Sequence, residues 1–207
     1  DIYRVMARLM NTDLSVLIVG DSGTGKELVA RALHEFGHRK DHPFISVNFS
    51  TIPSELAERE LFGFEDSTIA NSNEIGKLEQ ATNGTIFLDE IGDMSFYVQT
   101  SLLKVLQAGE FNPVGSKRKI KANFRILSST NQDLKVLINE GKFREDLFYR
   151  LNVVPIKLPT LRERVEDIKD LANHFLGLSA KEGLGQKSIS SDSIQVLNKQ
   201  TWPGNVR

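Results

Sequence analysis

The stretch from Val16 to Glu27 reads VLIVGDSGTGKE, a short hydrophobic run followed by a glycine-rich turn and a lysine that opens a helical pattern. Glycine lets the backbone fold tightly, so that several N–H groups can point at an anion, and the helix that follows adds the positive end of its dipole. The pattern Gly-x-x-x-x-Gly-Lys after a strand predicts a phosphate-binding loop, in which the lysine supplies a point charge. The alternative is a strand-to-helix turn without a ligand. The candidate phosphate-binding residues are Gly20, Asp21, Ser22, Gly23, Thr24, Gly25, Lys26 and Glu27.

Two adjacent carboxylates end a second hydrophobic run, GTIFLDE at positions 84–90. The strict form of the phosphate loop has Ser or Thr after the lysine to hold Mg²⁺, and Glu27 stands there instead, so the metal must find ligands elsewhere. Asp89 could hold Mg²⁺ directly or through water, and Glu90 could activate an attacking water. Alone, such a strand end is usually solvated. Together with the loop, it predicts a site for nucleotide hydrolysis.

Short β-branched runs alternate with longer amphipathic patterns along most of the chain, which is typical of an α/β fold with a mainly parallel sheet sandwiched by helices. The predicted strands are Val16–Val19, Phe44–Val47, Thr85–Leu88, Phe124–Ser128 and Val153–Leu158. The predicted helices are Glu27–His34, Glu55–Leu61, Tyr97–Ala108, Leu134–Asn139 and Glu145–Leu151. After Leu158 only helical patterns follow, at Val165–Leu178 and Ser191–Gln200. We therefore predict an α/β nucleotide-binding subdomain at 1–160 and a small helical lid at 161–207.

Composition narrows the classes of protein. The 26 basic residues balance the 27 acidic ones, so the surface as a whole offers no electrostatic case for wrapping nucleic acid. The absence of cysteine excludes disulfides and thiolate metal sites, and cytoplasm is the expected compartment. No apolar run is long enough to cross a membrane, and no signal peptide is visible. Because the chain starts at Asp1 and stops just after Trp202–Asn205, where a new helix is predicted to open, we expect an excised domain.

The phosphate loop and the acidic strand end together resemble the AAA+ domain of bacterial enhancer-binding transcription activators of the nitrogen-regulation response regulator type, over essentially all 207 residues. In that family the loop reads Gly-Glu-Ser-Gly-Thr-Gly-Lys-Glu, so Glu27 matches the family and Asp21 replaces a glutamate. The resemblance implies an AAA+ P-loop NTPase fold with a C-terminal helical lid. It also implies ATP and Mg²⁺ as ligands, ATP hydrolysis as the activity, and a place in a two-component system.

Further residues match this family one by one. Asn48 corresponds to an asparagine that holds the water-activating glutamate, here Glu90, and Asn131 to the sensor I residue that positions water. Arg144 and Arg150 correspond to arginine fingers that reach a neighbouring subunit's nucleotide, and Arg207 corresponds to the sensor II arginine at which the lid is truncated. Without the resemblance, Asn48 could equally be a polar cap at a strand end, and Asn131 would be a turn residue. The two finger candidates would be surface arginines in ion pairs, and Arg207 an ordinary helical arginine.

Fingers supplied by a neighbour imply a ring, a hexamer or heptamer of this chain, in which each site is completed across a head-to-tail interface. The resemblance also implies RNA polymerase holoenzyme as a partner and DNA contact through a domain outside this segment. A basic run at Ser116–Lys121 is expected to be a solvated hairpin tip, although a position facing the pore of the ring stays open.

One segment departs from the family pattern. Activators of this family carry Gly-Ala-Phe-Thr-Gly-Ala, a loop that contacts the sigma-54 form of RNA polymerase, where this chain has Asp66–Glu74 without either glycine. Loss of the glycines removes easy access to positive φ, so we expect altered or absent contact with sigma-54. Three alternatives stand beside the ATPase of a sigma-54 regulator: a remodeller of another protein, a nucleotide-controlled oligomerisation module of a sigma-54-independent regulator, and a domain that binds ATP without turnover.

Overall fold

The computed structural model describes residues 2–65 and 73–207. The chain forms two compact units. The first comprises Asp1–Val19 and Lys26–Lys157, and the second comprises Gly20–Gly25 and Leu158–Arg207. The glycine-rich loop thus clusters with the C-terminal segment, although the residues on either side of it in the chain belong to the first unit.

A parallel sheet forms the centre of the first unit. The strands of this unit are β1 (Val16–Val19), β2 (Phe44–Asn48), β3 (Gly63–Phe64), β4 (Glu74–Ile75), β5 (Thr85–Asp89), β6 (Glu110–Phe111), β7 (Ile120–Lys121), β8 (Arg125–Thr130) and β9 (Val154–Lys157). In the described part of the chain, five strands pair in the order β2-β5-β8-β1-β9, and all four pairings are parallel. The predicted parallel sheet is confirmed, and each predicted strand overlaps an observed one to within two residues at its ends.

The middle strands of this sheet are covered on both faces. All six residues of β8 and the first four of β5 are buried, whereas β2 and β9 at the edges keep exposed positions. Parallel strands buried on both faces read as continuous apolar runs, which explains why β5 was recognisable in the sequence. Two short antiparallel pairs, β3 with β4 and β6 with β7, lie outside the sheet.

Helices cover the sheet and supply the rest of the first unit's core. They are α1 (Ile2–Leu9), α2 (Lys26–Glu35), α3 (Ser54–Phe62), α4 (Lys77–Gln80), α5 (Phe96–Ala108), α6 (Leu134–Asn139) and α7 (Glu145–Leu151). Helix α5 is capped at its N-terminus by Ser95, whose hydroxyl accepts a bond from the Val98 N–H. At its C-terminus it is capped by Gly109 with φ 69°, a left-handed conformation that favours glycine. Its buried residues Val98, Leu102 and Val105 share one hydrophobic cluster with residues of the sheet.

A buried arginine holds helix α1, which the sequence patterns do not predict. Arg125, in β8, is only 2% exposed, and its guanidinium donates to the carbonyls of Leu9 at 2.9 Å and Leu33 at 3.4 Å. These carbonyls lie in the last turns of α1 and α2, where a positive charge is stabilising. Burial lowers the pKa of Arg125 from its ordinary value. The short helix α1 is therefore fixed by a residue far along the chain.

The second unit beyond Leu158 is helical. It contains a 3₁₀ segment at Leu161–Asp167, helix α8 (Ile168–Ser179), a π turn at Ala180–Leu184 and helix α9 (Ser191–Asn198). The prediction that the segment after Leu158 is helical is confirmed. The helix expected to open at Trp202 is wrong, because Trp202 (φ 46°) and Asn205 (φ 53°) both adopt the left-handed conformation and the chain forms a turn. Among the described residues, no helix has the length and apolar character needed to span a bilayer.

His34 gives the first unit a pH-dependent contribution to stability. Its imidazole is buried in α2, with Nδ1 3.0 Å from the Thr85 hydroxyl, and burial lowers the pKa of His34 below 6.5. The unfolded chain therefore binds the proton more readily, and this contribution is lost as the pH falls through 6.5 toward the lowered pKa. We expect the free energy of unfolding to fall less from about pH 7.5 to about pH 5.5 in His34→Gln than in the unmodified chain, as measured with urea.

The control for this measurement is His174→Gln, which changes an exposed histidine. It should lose as much stability on acidification as the unmodified chain. An equal loss in His34→Gln would contradict the assignment to the buried imidazole.

Candidate active site

Lys26 and Glu90, from the two predicted motifs, form a buried ion pair. Nζ of Lys26, at the start of α2, lies 3.1 Å from Oε1 of Glu90, and the two side chains are only 7% and 13% exposed. Glu90 directly follows β5. Its backbone has φ 53° and ψ 56°, in the left-handed region that residues other than glycine rarely adopt. Such backbone strain persists only where the surroundings impose it, and it clusters at functional sites. The turn directs the carboxylate to the phosphate-loop lysine.

The end of β8 holds the other oxygen of the same carboxylate. The backbone N–H of Asn131 donates to Oε2 of Glu90 at 2.9 Å, and the Glu90 N–H donates to the Ser129 hydroxyl at 3.3 Å. Asn131 thus contacts the glutamate through its backbone, not through the amide side chain that the family resemblance singled out. Both carboxylate oxygens of Glu90 therefore have partners, which fix the orientation of the group.

Asn48 contacts Asp89 instead of Glu90. Its Nδ2 donates to Oδ2 of Asp89 at 2.8 Å, while its Oδ1 accepts from the backbone N–H of Ser50 at 2.9 Å. The expected Asn48–Glu90 contact is absent from the described residues because the β2–β5 register pairs Asn48 with Asp89. Glu90, one residue beyond the strand, turns away toward Lys26.

Ser129 belongs to this cluster, although sequence reasoning missed it. Its hydroxyl donates a hydrogen bond to Oδ1 of Asp89 and accepts from the Glu90 N–H. Because β5 pairs with β8 so that Leu88 lies opposite Ser128, the next residues along both strands, Asp89 and Ser129, are neighbours. A predicted parallel pairing of the two strands would have been the signal for Ser129.

Glu27 lies away from this cluster of polar side chains. Its carboxylate accepts from both Nε and Nη2 of Arg31, at 3.1 and 2.8 Å, one helical turn further along α2. The side chain is 53% exposed. The position that binds metal in the strict motif is therefore occupied here by a surface ion pair, and Asp89 is the remaining candidate ligand for Mg²⁺.

The glycine-rich part of the phosphate loop, Gly20–Gly25, belongs to the second unit and requires its glycines. Gly23 and Gly25 have φ of 80° and 103°, and a Cβ on Gly23 would lie 2.2 Å from the Gly204 carbonyl oxygen. Thr24 is buried and closes the loop, since its hydroxyl donates to the Asp21 carbonyl at 2.8 Å. The same hypothetical Cβ would lie 3.2 Å from Cβ of Arg207, so the sensor II candidate is beside the loop.

The two candidate finger arginines differ in how they are held. Arg144 precedes α7 and donates twice to the carboxylate of Asp146, at 2.9 and 2.7 Å, and its guanidinium lies 5.4 Å from the centre of the Phe96 ring. The hydrogen bonds from Arg144 hold the pKa of Asp146 below its usual range. Arg150, in the last turn of α7, is exposed and has no ion pair within the described residues. Arg150 is therefore the freer of the two to reach another molecule.

Part of the segment that departs from the family pattern, residues 66–72, lies outside the described residues. On its far side Glu74 begins β4, which pairs with β3, and Arg59 lies 3.1 Å from the Glu74 carboxylate. The basic run at Ser116–Lys121 ends in β7 of the β6–β7 hairpin. Its Arg118 pairs with Glu65 and Glu79 at 3.3 and 3.1 Å, so this arginine of the basic run is used in surface ion pairs.

A parallel sheet with a glycine-rich loop after β1 and an acidic pair at the end of β5 defines the class of P-loop nucleoside triphosphatases. Residues 1–157 match the sigma-54 interaction domain, and residues 162–207 match the AAA+ ATPase lid domain. The chain belongs to the family of sigma-54 interaction domains with an AAA+ lid. This confirms the resemblance to enhancer-binding activators and the AAA+ fold.

Named relatives agree with this assignment. The chain is 55% identical over 209 residues to the DNA-binding transcriptional regulator NtrC of Bradyrhizobium sp., covering 100% of this chain and 44% of that protein. Crystal structures of NtrX from Brucella abortus in complex with ADP and with ATP are both 42% identical, with TM-scores of 0.92 and 0.91, and cover 99% of this chain. The match spans 46% and 47% of those two chains. The chain thus spans less than half the length of these NtrC and NtrX relatives.

Proposed function

We propose that this chain binds ATP with Mg²⁺ and hydrolyses it to ADP and phosphate, as the ring-forming module of a bacterial transcription regulator of the enhancer-binding type. The observation that carries the proposal is the buried contact between Lys26 and Glu90, 3.1 Å apart. It joins the phosphate-binding lysine of one motif to the acidic residue that would activate water in the other. A structural ion pair alone would not require the strained backbone of Glu90.

Phosphate binding is assigned to Gly20–Glu27, with the loop amides and the Lys26 ammonium as donors. The positive φ of Gly23 and Gly25 supports this role, because such a loop turns its N–H groups toward one side. Glu27 follows the family sequence at its position and would contribute through its backbone N–H in the first turn of α2, because its carboxylate pairs with Arg31. Relatives support the ligand: NtrX of Brucella abortus has been crystallised with ADP and with ATP.

Asp89 fits Mg²⁺ as a single carboxylate ligand, direct or through water. Within residues 2–65 and 73–207, no group of three or more acidic or histidine side chains gathers as a metal site. This suits Mg²⁺, which usually takes one or two carboxylates together with water and substrate phosphate oxygens. When bound, the ion would neutralise charge on the phosphates. Asn48 and Ser129, both hydrogen-bonded to Asp89, would orient that carboxylate.

Glu90 would act as the general base for hydrolysis. Its carboxylate takes a proton from the attacking water as the water oxygen bonds to the γ-phosphorus and the bond from that phosphorus to the bridging oxygen of ADP breaks. The backbone N–H of Asn131 holds Oε2, which leaves Oε1 beside Lys26. Lys26 would then stabilise charge on the outer phosphates while Glu90 handles the proton.

Assembly and partners follow from the family and from Arg150. An exposed arginine in the last turn of α7, without an ion pair among the described residues, supports the role of a finger that completes a neighbouring subunit's site in a hexamer or heptamer. In the whole protein we propose DNA contact through another domain and action on RNA polymerase in the cytoplasm. The family description supports a sigma-54 partner, whereas the sequence at 66–74 supports altered contact.

Replacement of Lys26 by alanine tests this proposal. We expect Lys26→Ala to abolish detectable ATP binding in isothermal titration, because both the phosphate charge partner and the counter-charge of buried Glu90 are lost. The control Lys135→Ala removes an exposed lysine of α6 and should bind ATP like the unmodified chain. Undiminished ATP binding by folded Lys26→Ala would contradict the assignment of the phosphate loop.

A further inference from the structure

Three successive carbonyl groups of the phosphate loop each accept a hydrogen bond from the C-terminal segment of the second unit. Nδ2 of Asn205 donates to the Ser22 carbonyl at 2.9 Å, and the Val206 N–H donates to the Gly23 carbonyl at 3.0 Å. Nη2 of Arg164 donates to the Thr24 carbonyl at 2.8 Å. Two of these three donors are side chains, those of Asn205 and Arg164. Neither residue belongs to the phosphate-loop motif, and neither is the sensor II arginine.

Bonds to these carbonyls also set the direction of the loop's N–H groups. A trans peptide is planar, so the C=O of one residue and the N–H of the next point in opposite directions. Holding the carbonyls of residues 22, 23 and 24 therefore directs the N–H groups of Gly23, Thr24 and Gly25 to the other side. The Thr24 N–H is used in a turn bond of 3.3 Å to the Asp21 carbonyl, so the restraint serves a ligand mainly through the N–H groups of Gly23 and Gly25. Gly23 and Gly25, with φ of 80° and 103°, depend more on outside restraint because glycine has the greatest backbone freedom.

The side chain of Asn205 is buried and fixed by hydrogen bonds. It is 5% exposed and takes the left-handed conformation, with φ 53°, which asparagine tolerates better than most residues. Its Oδ1 accepts from the Leu161 N–H at 2.8 Å, so both ends of the amide are used. One side chain thus links the Trp202–Asn205 turn, the start of the 3₁₀ segment and the phosphate loop.

Arg164 reaches the loop from a break in the 3₁₀ segment. Its φ of −136° and ψ of 52° are not helical, and the break separates it from the regular turns on either side. The guanidinium lies 3.6 Å from the Asp167 carboxylate, a longer contact than its bond to the Thr24 carbonyl. The shorter of these two contacts is therefore the one to the loop.

We propose that Asn205 and Arg164 are positioning residues that hold the phosphate loop in its anion-binding shape, so that nucleotide phosphates meet amides already directed at them. The inference rests on the proposed function of the loop. A preorganised loop binds more tightly because less ordering is required when the ligand arrives. The same bonds tie the shape of the phosphate loop to the helical segment that follows Leu158.

The chain offers matched variants. Asn205→Asp keeps the size, the tolerance of positive φ and the Oδ1 acceptor for Leu161, but it replaces the donor to the Ser22 carbonyl with an acceptor. Arg164→Gln removes the donor to the Thr24 carbonyl. The control is Arg162→Gln in the same segment, because Nη2 of Arg162 also donates to a backbone carbonyl, that of Thr201 at 2.8 Å, which is outside the loop.

The test is ADP affinity by isothermal titration of the full chain, with thermal unfolding in the absence of nucleotide to verify folding. We expect Asn205→Asp and Arg164→Gln each to weaken ADP binding about tenfold, and Arg162→Gln to change it less than about twofold. Arg164→Lys, which can still donate one bond, should recover part of the loss. The amide resonances of Gly23, Thr24 and Gly25 should shift in the two loop variants and not in the control.

If folded Asn205→Asp and Arg164→Gln bind ADP as tightly as Arg162→Gln, the inference is overturned. If one of the two variants does not fold, the ADP affinity of the other decides the test. Amide shifts without a change in ADP affinity would also overturn it, since the contacts would then be structural only. Failure of the unmodified chain to bind ADP would instead refute the proposed function.

Discussion

Glu90→Gln is expected to lower ATP turnover by about 10²- to 10⁴-fold while ATP binding is retained. Glutamine has the same shape and can still accept the Asn131 N–H bond, but it cannot take a proton from water. The change also removes the counter-charge 3.1 Å from Lys26, so the lysine loses its competitor for the phosphates. Affinity for ATP should therefore stay the same or rise while phosphate release falls, which separates a catalytic effect from a binding effect.

The matched control is Glu55→Gln, which neutralises an exposed glutamate in the first turn of α3. Its turnover and affinity should equal those of the unmodified chain. Normal phosphate release by Glu90→Gln would refute the role of this carboxylate. Loss of ATP binding together with turnover would instead mean that the ion pair with Lys26 shapes the site.

Arg150→Ala is expected to lower turnover by about 10³-fold or more with little change in nucleotide affinity, because a finger acts on charge that develops during phosphoryl transfer. Arg144→Ala should also depress turnover more than affinity. It should lower stability as well, since Arg144 donates to Asp146 and packs over Phe96 within its own chain. Steady-state phosphate release and ADP titration, measured on the same samples, distinguish the two arginines.

Mixing subunits tests whether Arg150 acts on a neighbour. Subunits with Arg150→Ala keep Glu90, and subunits with Glu90→Gln keep Arg150, so a mixed ring contains some interfaces with both groups intact. Turnover of the mixture should exceed that of either variant alone. Arg8→Ala, which removes an exposed arginine in the last turn of α1, serves as the control and should leave turnover unchanged. No recovery at any mixing ratio would count against a finger acting between subunits.

The parallel sheet and the main chemical groups of the site were predictable because each has a local signal. Strand β5 is a continuous apolar run that ends in two carboxylates, and β1 runs directly into the glycine-rich loop. Helix α5 has both a periodic apolar face and a Ser95 cap. In these places burial on both sides of a sheet, or on one face of a helix, leaves its pattern in consecutive residues.

Features that depend on distant residues were not predictable in this way. Helix α1 buries only Met6 and Leu9 and is held by Arg125, which no local pattern links to it. The contact of Asn48 with Asp89 follows from strand register, and the turn at Glu90 follows from a strained backbone. Neither the register nor a positive φ at a glutamate can be read from residue types.

The phosphate loop also combines features with a local sequence signal and features that depend on distant residues. Its glycines and Lys26 are evident in the sequence, but the donors that hold its carbonyls, Asn205 and Arg164, lie at least 140 residues further along the chain. A sequence motif identifies the residues that contact a ligand, but it does not identify the distant residues that hold the loop in shape. The chain spans less than half the length of its NtrC and NtrX relatives, so the signal input and the DNA site belong to the whole-protein proposal.

The most direct test of the central claim is phosphate release from ATP, measured over a range of protein concentrations with the unmodified chain and Lys26→Ala side by side. The account predicts turnover that requires Mg²⁺, stops when the metal is chelated, rises more steeply than protein concentration as rings assemble, and is absent from Lys26→Ala. Phosphate release by the unmodified chain that never exceeds that of Lys26→Ala, at any concentration with Mg²⁺ present, would contradict it.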